Sequence, residues 1–267
     1  MKRILFLAAA MLLALSCAPK KADAPKALVL YYSQTGTTEK VALAIAEKTG
    51  ADVEAIVVVN PYDGDYNATI QRGLQEMQTG AYPELQPLTS NIAEYDVVFI
   101  GYPVWFGTYA PPIETLLGNE ALKGKKIVPF CTCGSGGIDT SSKAMAAKLT
   151  ESEVLPGYGV RAARIDAICA ELDQFLKAGG YVEGEAVAVE EYPEAVAVTE
   201  EQAAIFDAAV ANYAMIQAQA ETVATRTHFL GGQEYLFTSK DVNNGATMQV
   251  NVLVEEGKEP VFTQVYR

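Results

Sequence analysis

From Ala27 to about residue 180 the chain repeats one unit, a short apolar run followed by a segment with helical spacing. The runs are ALVLYY (27–32), ADVEAIVVV (51–59), YDVVFIGYP (95–103), KKIVPFCT (125–132) and the shorter SEVLPGYGV (152–160). After the first, Val41, Ala42, Ile45 and Ala46 share one helical face, and 67–79 is amphipathic. PPIETLL (111–117) opens with prolines, which suit a helix's first turn, and 141–149 and 163–178 complete the set. Runs apolar throughout suit strands buried on both faces, and strands alternating with helices make a parallel sheet. Right-handed crossovers place every strand-to-helix loop at one edge. The expectation for 27–180 is a doubly wound α/β domain on a five-stranded parallel sheet, with the third strand ending at a Gly-Tyr-Pro break.

After Gly180 the rhythm changes. EGEAVAVEEYPEAVAV (183–198) is acidic and irregular, with one or two short strands expected. Residues 199–219 read as a helix with Thr199 as N-cap, Gln202 completing a capping box, and a stripe through Ile205, Ala209, Tyr213 and Ile216. ETVATRTHFL, QEYLFTSKDV, ATMQVNVLVEE and PVFTQVYR follow, separated by Gly231-Gly232, Asn243-Asn244-Gly245 and Gly257. These are strands with hairpin signals. Residues 181–267 therefore form a second, α+β module, with the boundary between Gly180 and Val196.

The N-terminus is set apart from the fold. Lys2-Arg3, an apolar run from Ile4 to Leu15 and Ser16-Cys17 give a positive region, a core too short to span a bilayer, and a small residue before a cysteine. The segment 1–17 resembles a bacterial lipoprotein signal with ALSC as its lipobox, although Ala14 stands where leucine is commoner. In that reading Cys17 is lipidated, 18–26 is a polar tether, and the body is exported and held at a bacterial membrane on its periplasmic or outer side. An ordinary secretory signal with an incidental cysteine is the alternative.

A net charge of −13 argues against a nucleic-acid partner, which requires a basic surface. The excess is densest in 181–267, where 14 acidic side chains face 4 basic ones. Cys131, Cys133 and Cys169 are an odd number, which gives no disulfide framework, and the Cys131-x-Cys133 pair could form only a strained bridge, so all three read as free thiols. His228, the single histidine, lies outside the α/β domain, so no Ser-His-Asp triad can operate there. DGDYN (63–67) begins like a calcium loop, but Ala68 and Leu74 occupy the places that need Gly and Glu. No metal site is expected.

Three loops at the carboxyl edge of the sheet carry unusual residues. In SQTGTT (33–38), Ser33, Thr35, Thr37 and Thr38 supply hydroxyls, Gly36 permits close backbone approach, and a helix starts at Thr37 or Thr38. Hydroxyls and free amides without a lysine suit a permanently held phosphate; a plain polar helix cap is the alternative reading. GYPVWFGTYAPP (101–112) gathers Tyr102, Trp105, Phe106 and Tyr109, an aromatic cluster covering either a core edge or a flat ligand. CTCGSGGIDTSS (131–142) has glycines at 134, 136 and 137, which let backbone amides reach a planar ligand; a merely flexible turn is the alternative reading.

In this order, SQTGTT, GYPVWFG and PFCTCGSGG resemble the flavodoxin family over about residues 27–178. The resemblance implies FMN, with Ser33, Gln34, Thr35, Gly36, Thr37 and Thr38 at its phosphate. It places Pro103, Val104, Trp105, Phe106 and Gly107 along the isoalloxazine ring, Trp105 as the stacking residue. Cys133, Gly134, Ser135 and Gly136 would close the other side, Cys133 standing where relatives often carry serine. The helix and hairpins of 181–267 resemble the cystatin-like fold. Arg226, His228 and Leu230 replace the inhibitory wedge, so protease inhibition is not expected.

The function expected is an FMN-dependent electron-transfer protein, anchored to a membrane by lipid and meeting a redox partner protein or a small electron acceptor. An FMN-dependent NAD(P)H:quinone-type oxidoreductase and a non-redox binding lipoprotein with a degenerate flavodoxin domain are the alternatives. No catalytic residue is assigned.

Overall fold

The computed structural model describes residues 25–62 and 65–266. The signal-like segment 1–17, Cys17, most of the tether, and Asp63 and Gly64 of DGDYN lie outside the described residues.

The first sheet is parallel and runs β2 (Asp52–Ala55), β1 (Ala27–Tyr31), β3 (Val97–Trp105), β5 (Lys126–Cys133), with β6 (Glu153–Val154) and β7 (Tyr158–Arg161) sharing the last edge of β5. The expected fifth strand is thus two short pieces, interrupted around Pro156-Gly157. The strand order is that of the doubly wound sheet expected. Side chains alternate between two cores with a period of two. Leu28, Leu30, Val98, Ile100, Tyr102, Ile127 and Cys131 face one core, together with Ile113 and Leu116 of α3 (Pro111–Leu116) and Met145 of α4 (Ile138–Lys148). Val29, Tyr31, Val97, Phe99, Val128 and Phe130 face the other, against Val41, Ala42 and Ile45 of α1 (Thr37–Thr49) and Ile168, Leu172 and Leu176 of α5 (Ile168–Ala178). Burying both faces is what holds so apolar a sheet in one register.

Several boundaries differ from expectation: the helix expected over 163–178 opens as a 3-10 helix over Ala162–Ala167 before α5 begins, α4 starts at Ile138 and not at 141, and two strands of the sheet change. β2 leaves the sheet after Ala55, and Val58 instead bridges to Leu85. β3 runs past Gly-Tyr-Pro to Trp105, because β1 ends opposite Gly101. Pro103, paired only with Thr132 on β5, has no neighbour on the β1 side to require its missing N–H.

The C-terminal module is a five-stranded antiparallel sheet in the order β12 (Val261–Tyr266), β11 (Thr247–Val254), β10 (Gln233–Asp241), β9 (Ala218–Thr227), β8 (Val196–Ala197). Helix α6 (Glu200–Val210) lies on one face, burying Phe206 and Val210 against Val223, Phe237, Val250 and Phe262. The Thr199–Gln202 capping box is formed in both directions. The helix ends nine residues short of the expected end at 219. Tight turns carry Tyr213 and Ile216 into the same core, and residues from Ala218 are taken up in pairing with β10. The acidic stretch before the module runs along α5, where the Gln174 amide exchanges hydrogen bonds with the Val187 backbone. No helix among the described residues is long and apolar enough to cross a membrane.

Candidate functional site

Strands β1 and β3 are neighbours, yet the chain leaves β1 toward β2 and reaches β3 only on the other side. The loops that follow them diverge there and open a crevice at the carboxyl ends of the strands.

The first loop leads into α1, a helix of 13 residues. Its N-cap is Gly36, in the left-handed region at φ 82°, and no side chain caps the helix. The first-turn amides therefore have no intrahelical acceptors. This counts against the plain-cap reading, since Ser33, Thr35, Thr37 and Thr38 are all free of that task. Ser33 Oγ is buried without a hydrogen-bond partner. Thr35 and Thr37 hold their hydroxyls 3.3 Å apart on the exposed side. Thr38 is different, being buried with its Oγ1 2.8 Å from Thr132 Oγ1, so it ties α1 to β5. Gln34 accepts a hydrogen bond from the Tyr32 hydroxyl.

The second loop is a hairpin. β3 turns at Phe106 and Gly107 (φ 52° and 82°) into β4 (Thr108–Tyr109), a two-residue turn with both central residues left-handed. Phe106 is the only non-glycine residue with positive φ among those described, and it is 43 % exposed. A bulky residue in that conformation is strained, a cost of about 1–3 kcal/mol that proteins retain mainly at functional positions. Trp105 is wedged edge-on between Tyr62 (5.2 Å, 85°) and Tyr32 (6.1 Å, 85°), and Gly73 of α2 (Tyr66–Thr79) backs onto Trp105 and Phe106. Behind this wedge the Tyr62 hydroxyl donates to Glu76 Oε2 at 2.6 Å, while Arg72 bonds Glu76 and lies over the Tyr62 ring. Burial pushes the Tyr32 and Tyr62 phenols far above their usual range, so both are neutral donors.

A cavity of about 370 Å³ joins these loops, lined by Gln34 and Thr35, by Pro103, Val104, Trp105 and Phe106, and by Tyr66, Thr69 and Ile70 of α2. A second, of about 360 Å³, lies on the β2 side of Gln34 and is lined by Ser33, Glu39, Ile56 and Tyr62 among others. The α2 contribution was not anticipated from the sequence. The available signal was Tyr66, a 77 % exposed aromatic at a helix start. Asp65 N-caps that helix by accepting from the Ala68 amide, which explains the polar half of DGDYN within the described residues.

The third loop lines neither cavity. Its residues meet the C-terminal module. Val265 N donates to Ser135 O at 2.7 Å, and a Cβ at Gly136 would stand 2.2 Å from Val265 O. The Tyr213 hydroxyl lies against Gly134. Arg161, at the end of β7, donates from Nε to Gly134 O (2.8 Å) and from a terminal nitrogen to Phe262 O (2.7 Å), with its guanidinium 3.3 Å over the Phe262 ring. Cys133 is buried, its thiol directed at Val160 O. The neighbouring Cys133 and burial push the Cys131 thiol well above its usual range. Both thiols are free, as is the exposed Cys169. His228 is buried within the module, where its Nδ1 accepts from the Leu230 amide and Nε2 lies 3.9 Å from Glu234. No group of three or more His, Cys, Asp or Glu able to hold a metal ion occurs among the described residues.

The geometry provides an anion-ready helix end next to an apolar, aromatic slot. Those are the two halves of a site for a planar ligand with a phosphate tail. The sequence model of the family described as Flavodoxin matches residues 26–167. Among solved structures, a candidate flavoprotein of Bacteroides uniformis is 27 % identical, with a TM-score of 0.50, covering 56 % of this chain and 98 % of its own. A candidate flavoprotein of Bacteroides eggerthii is 31 % identical over 56 % of this chain and 98 % of its own, at a TM-score of 0.47. A Lactobacillus acidophilus flavoprotein in complex with FMN is 28 % identical over 54 % and 98 %, at 0.47.

Proposed function

The chain belongs to the flavodoxin family, and from that membership we propose that it binds FMN and passes electrons to a partner from outside the cytoplasm, held there by lipid on Cys17. The observation that carries the cofactor reading is the buried, partnerless Ser33 hydroxyl beside the uncapped N-terminus of α1. An unsatisfied buried hydroxyl is costly, and a phosphate at a helix N-terminus would satisfy it together with the open amides.

Ser33, Thr35, Gly36 and Thr37 hold the phosphate, with Thr38 fixing the helix start through Thr132. Pro103, Val104, Trp105 and Phe106 enclose the ring, and Tyr62 and Tyr32 lock the Trp105 plane. FMN supplies one- and two-electron redox chemistry when bound. This chain's part is to bind, orient and exclude water, and its net charge of −13 disfavours added negative charge at the site. Electron transfer by edge-to-edge contact needs only a small, weak interface with a protein partner, and the acidic surface makes that encounter salt-sensitive.

Residues 18–267 are purified and examined by visible absorbance, and by fluorescence after denaturation. A flavin spectrum, or uptake of added FMN, is expected; a colourless protein that takes up none overturns the proposal. Oxidation of NADH or NADPH with a quinone acceptor separates the two redox readings. Steady turnover would favour the oxidoreductase, and its absence the carrier. For the anchor, Cys17→Ser is expected to move the full-length protein from the membrane fraction to the aqueous one. Unchanged partitioning would remove Cys17 from the proposal.

A further inference from the structure

We infer that the C-terminal module braces the wall of the flavin cavity from behind, and that Arg161 and the Val265 amide position the 133–137 loop which links the two; the inference rests on the FMN reading above. Glycines at 134, 136 and 137 leave this loop little conformational preference of its own. What holds it comes from elsewhere. Arg161 bridges the loop and the module, donating to Gly134 O on one side and Phe262 O on the other while stacked on the Phe262 ring. Strand β12 is the edge of the module's sheet, and its Val265 amide points away from β11 to Ser135 O. Gly136 meets Val265 O so closely that no side chain fits between them.

One residue further on, the loop packs behind the cavity wall. A Cβ at Gly137 would lie 2.8 Å from a methyl of Val104, and Val104 lines the slot together with Trp105. Backbone of the module, three successive loop residues and the Val104 side chain thus form one packed chain ending at the ring position. Such a chain carries a shift at β12 into the slot through Val104, whereas the phosphate cradle meets β5 at the Thr38–Thr132 bond, ahead of the loop. Arg161 is therefore a positioning residue for the ring end of the ligand.

The test uses the full chain in its flavin-free form. FMN and riboflavin are titrated against the parent, Arg161→Ala, Arg161→Lys and Val265→Pro, with Trp105 emission recorded before flavin is added. Proline is tolerated on an edge strand where the N–H faces outward. Losing a bridging charged donor or the strand's bond to the loop is expected to weaken both flavins alike, about tenfold. Arg161→Lys, which keeps the charge without the planar fork, falls between. Emission from Trp105, the single tryptophan, shifts in Arg161→Ala and Val265→Pro because the slot has moved. The inference is overturned if these variants hold riboflavin as the parent does and Trp105 emission is unchanged. A loss confined to FMN also overturns it, since the effect would then lie at the phosphate. A parent that takes up neither flavin overturns the cofactor reading, and this inference with it. Any variant without a cooperative melt is set aside, and Arg161→Lys, which removes the least, then decides.

Discussion

Replacing Ser33 with alanine should strengthen the empty protein and weaken its hold on FMN. Ser33 Oγ is buried and unpaired, and leaving such a hydroxyl unsatisfied costs roughly 1–3 kcal/mol. Alanine removes the hydroxyl and keeps the backbone that leads into Gly36 and α1. Taking the low end, a gain of about 1 kcal/mol raises the melting temperature of a domain this size by roughly 2–4 °C. In the proposed complex the same hydroxyl would donate to the phosphate, and a hydrogen bond to a charged group contributes about 1.5–3 kcal/mol. Its loss therefore weakens FMN by roughly ten- to a hundredfold. Riboflavin has no phosphate and should bind the variant and the parent equally. Thermal melts of the flavin-free proteins followed by circular dichroism, and quenching titrations with both flavins, give the three numbers. A variant that melts below the parent, or loses riboflavin as much as FMN, would refute the assignment of Ser33 to the phosphate.

Gly36→Val forces a β-branched residue to φ 82° and, with Thr35→Ala, should lower FMN affinity more than riboflavin affinity; equal losses in paired titrations would misplace the cradle. Trp105→Leu should weaken both flavins together and, by breaking the wedge with Tyr32 and Tyr62, cost stability on the order of 2–4 kcal/mol, read from urea melts. Glu54 accepts from the Thr89 and Ser90 amides; burial opposes the shift, yet these hydrogen bonds hold its carboxyl below the ordinary 4.5. Its contribution is therefore fully present above that value and lost as pH falls through the lowered one. Glu54→Gln should flatten the acid side of the stability profile, and an unchanged profile would count against the reading. Arg226 bonds Glu234, which is only 7 % exposed, so Arg226→Met should leave a buried carboxylate without its arginine, held by the Tyr192 hydroxyl, and destabilise the module by about 3 kcal/mol, seen as a lower melting temperature.

The sheet was legible because burial on both faces writes continuous apolar runs, as in ALVLYY and KKIVPFCT. The hairpins after Gly180 were legible from their glycines. Ends were less so, and for identifiable reasons. Pro103 looked like a strand terminator because the earlier end of β1, which makes its missing N–H harmless, is a property of register. Tyr213 and Ile216 continue the spacing of α6 yet reach the core through turns, since strand pairing with β10 claims the chain from Ala218. Within the site, the hydroxyl run and Trp105 stood out as residue types. Tyr66, Thr69 and Ile70 did not, because only the packing of α2 over the hairpin brings them to the slot. Nothing local in CTCGSGG announces that a strand from another module grips it. Arg161 was invisible for the same reason: its two acceptors are far apart in the chain.

The bonds from Arg161 and β12 also impose an order of events. Phe262 stands 101 residues beyond Arg161 in the chain, and domains form as units, the N-terminal one first. The α/β sheet can assemble from residues up to about 178 while the loop at 133–137 still lacks the strand that holds it. If flavin enters before β12 has docked, it meets a site with its cradle formed and the support behind Val104 still loose. Phosphate capture would then come early and ring closure late, so the two ends of one cofactor would mature at different times.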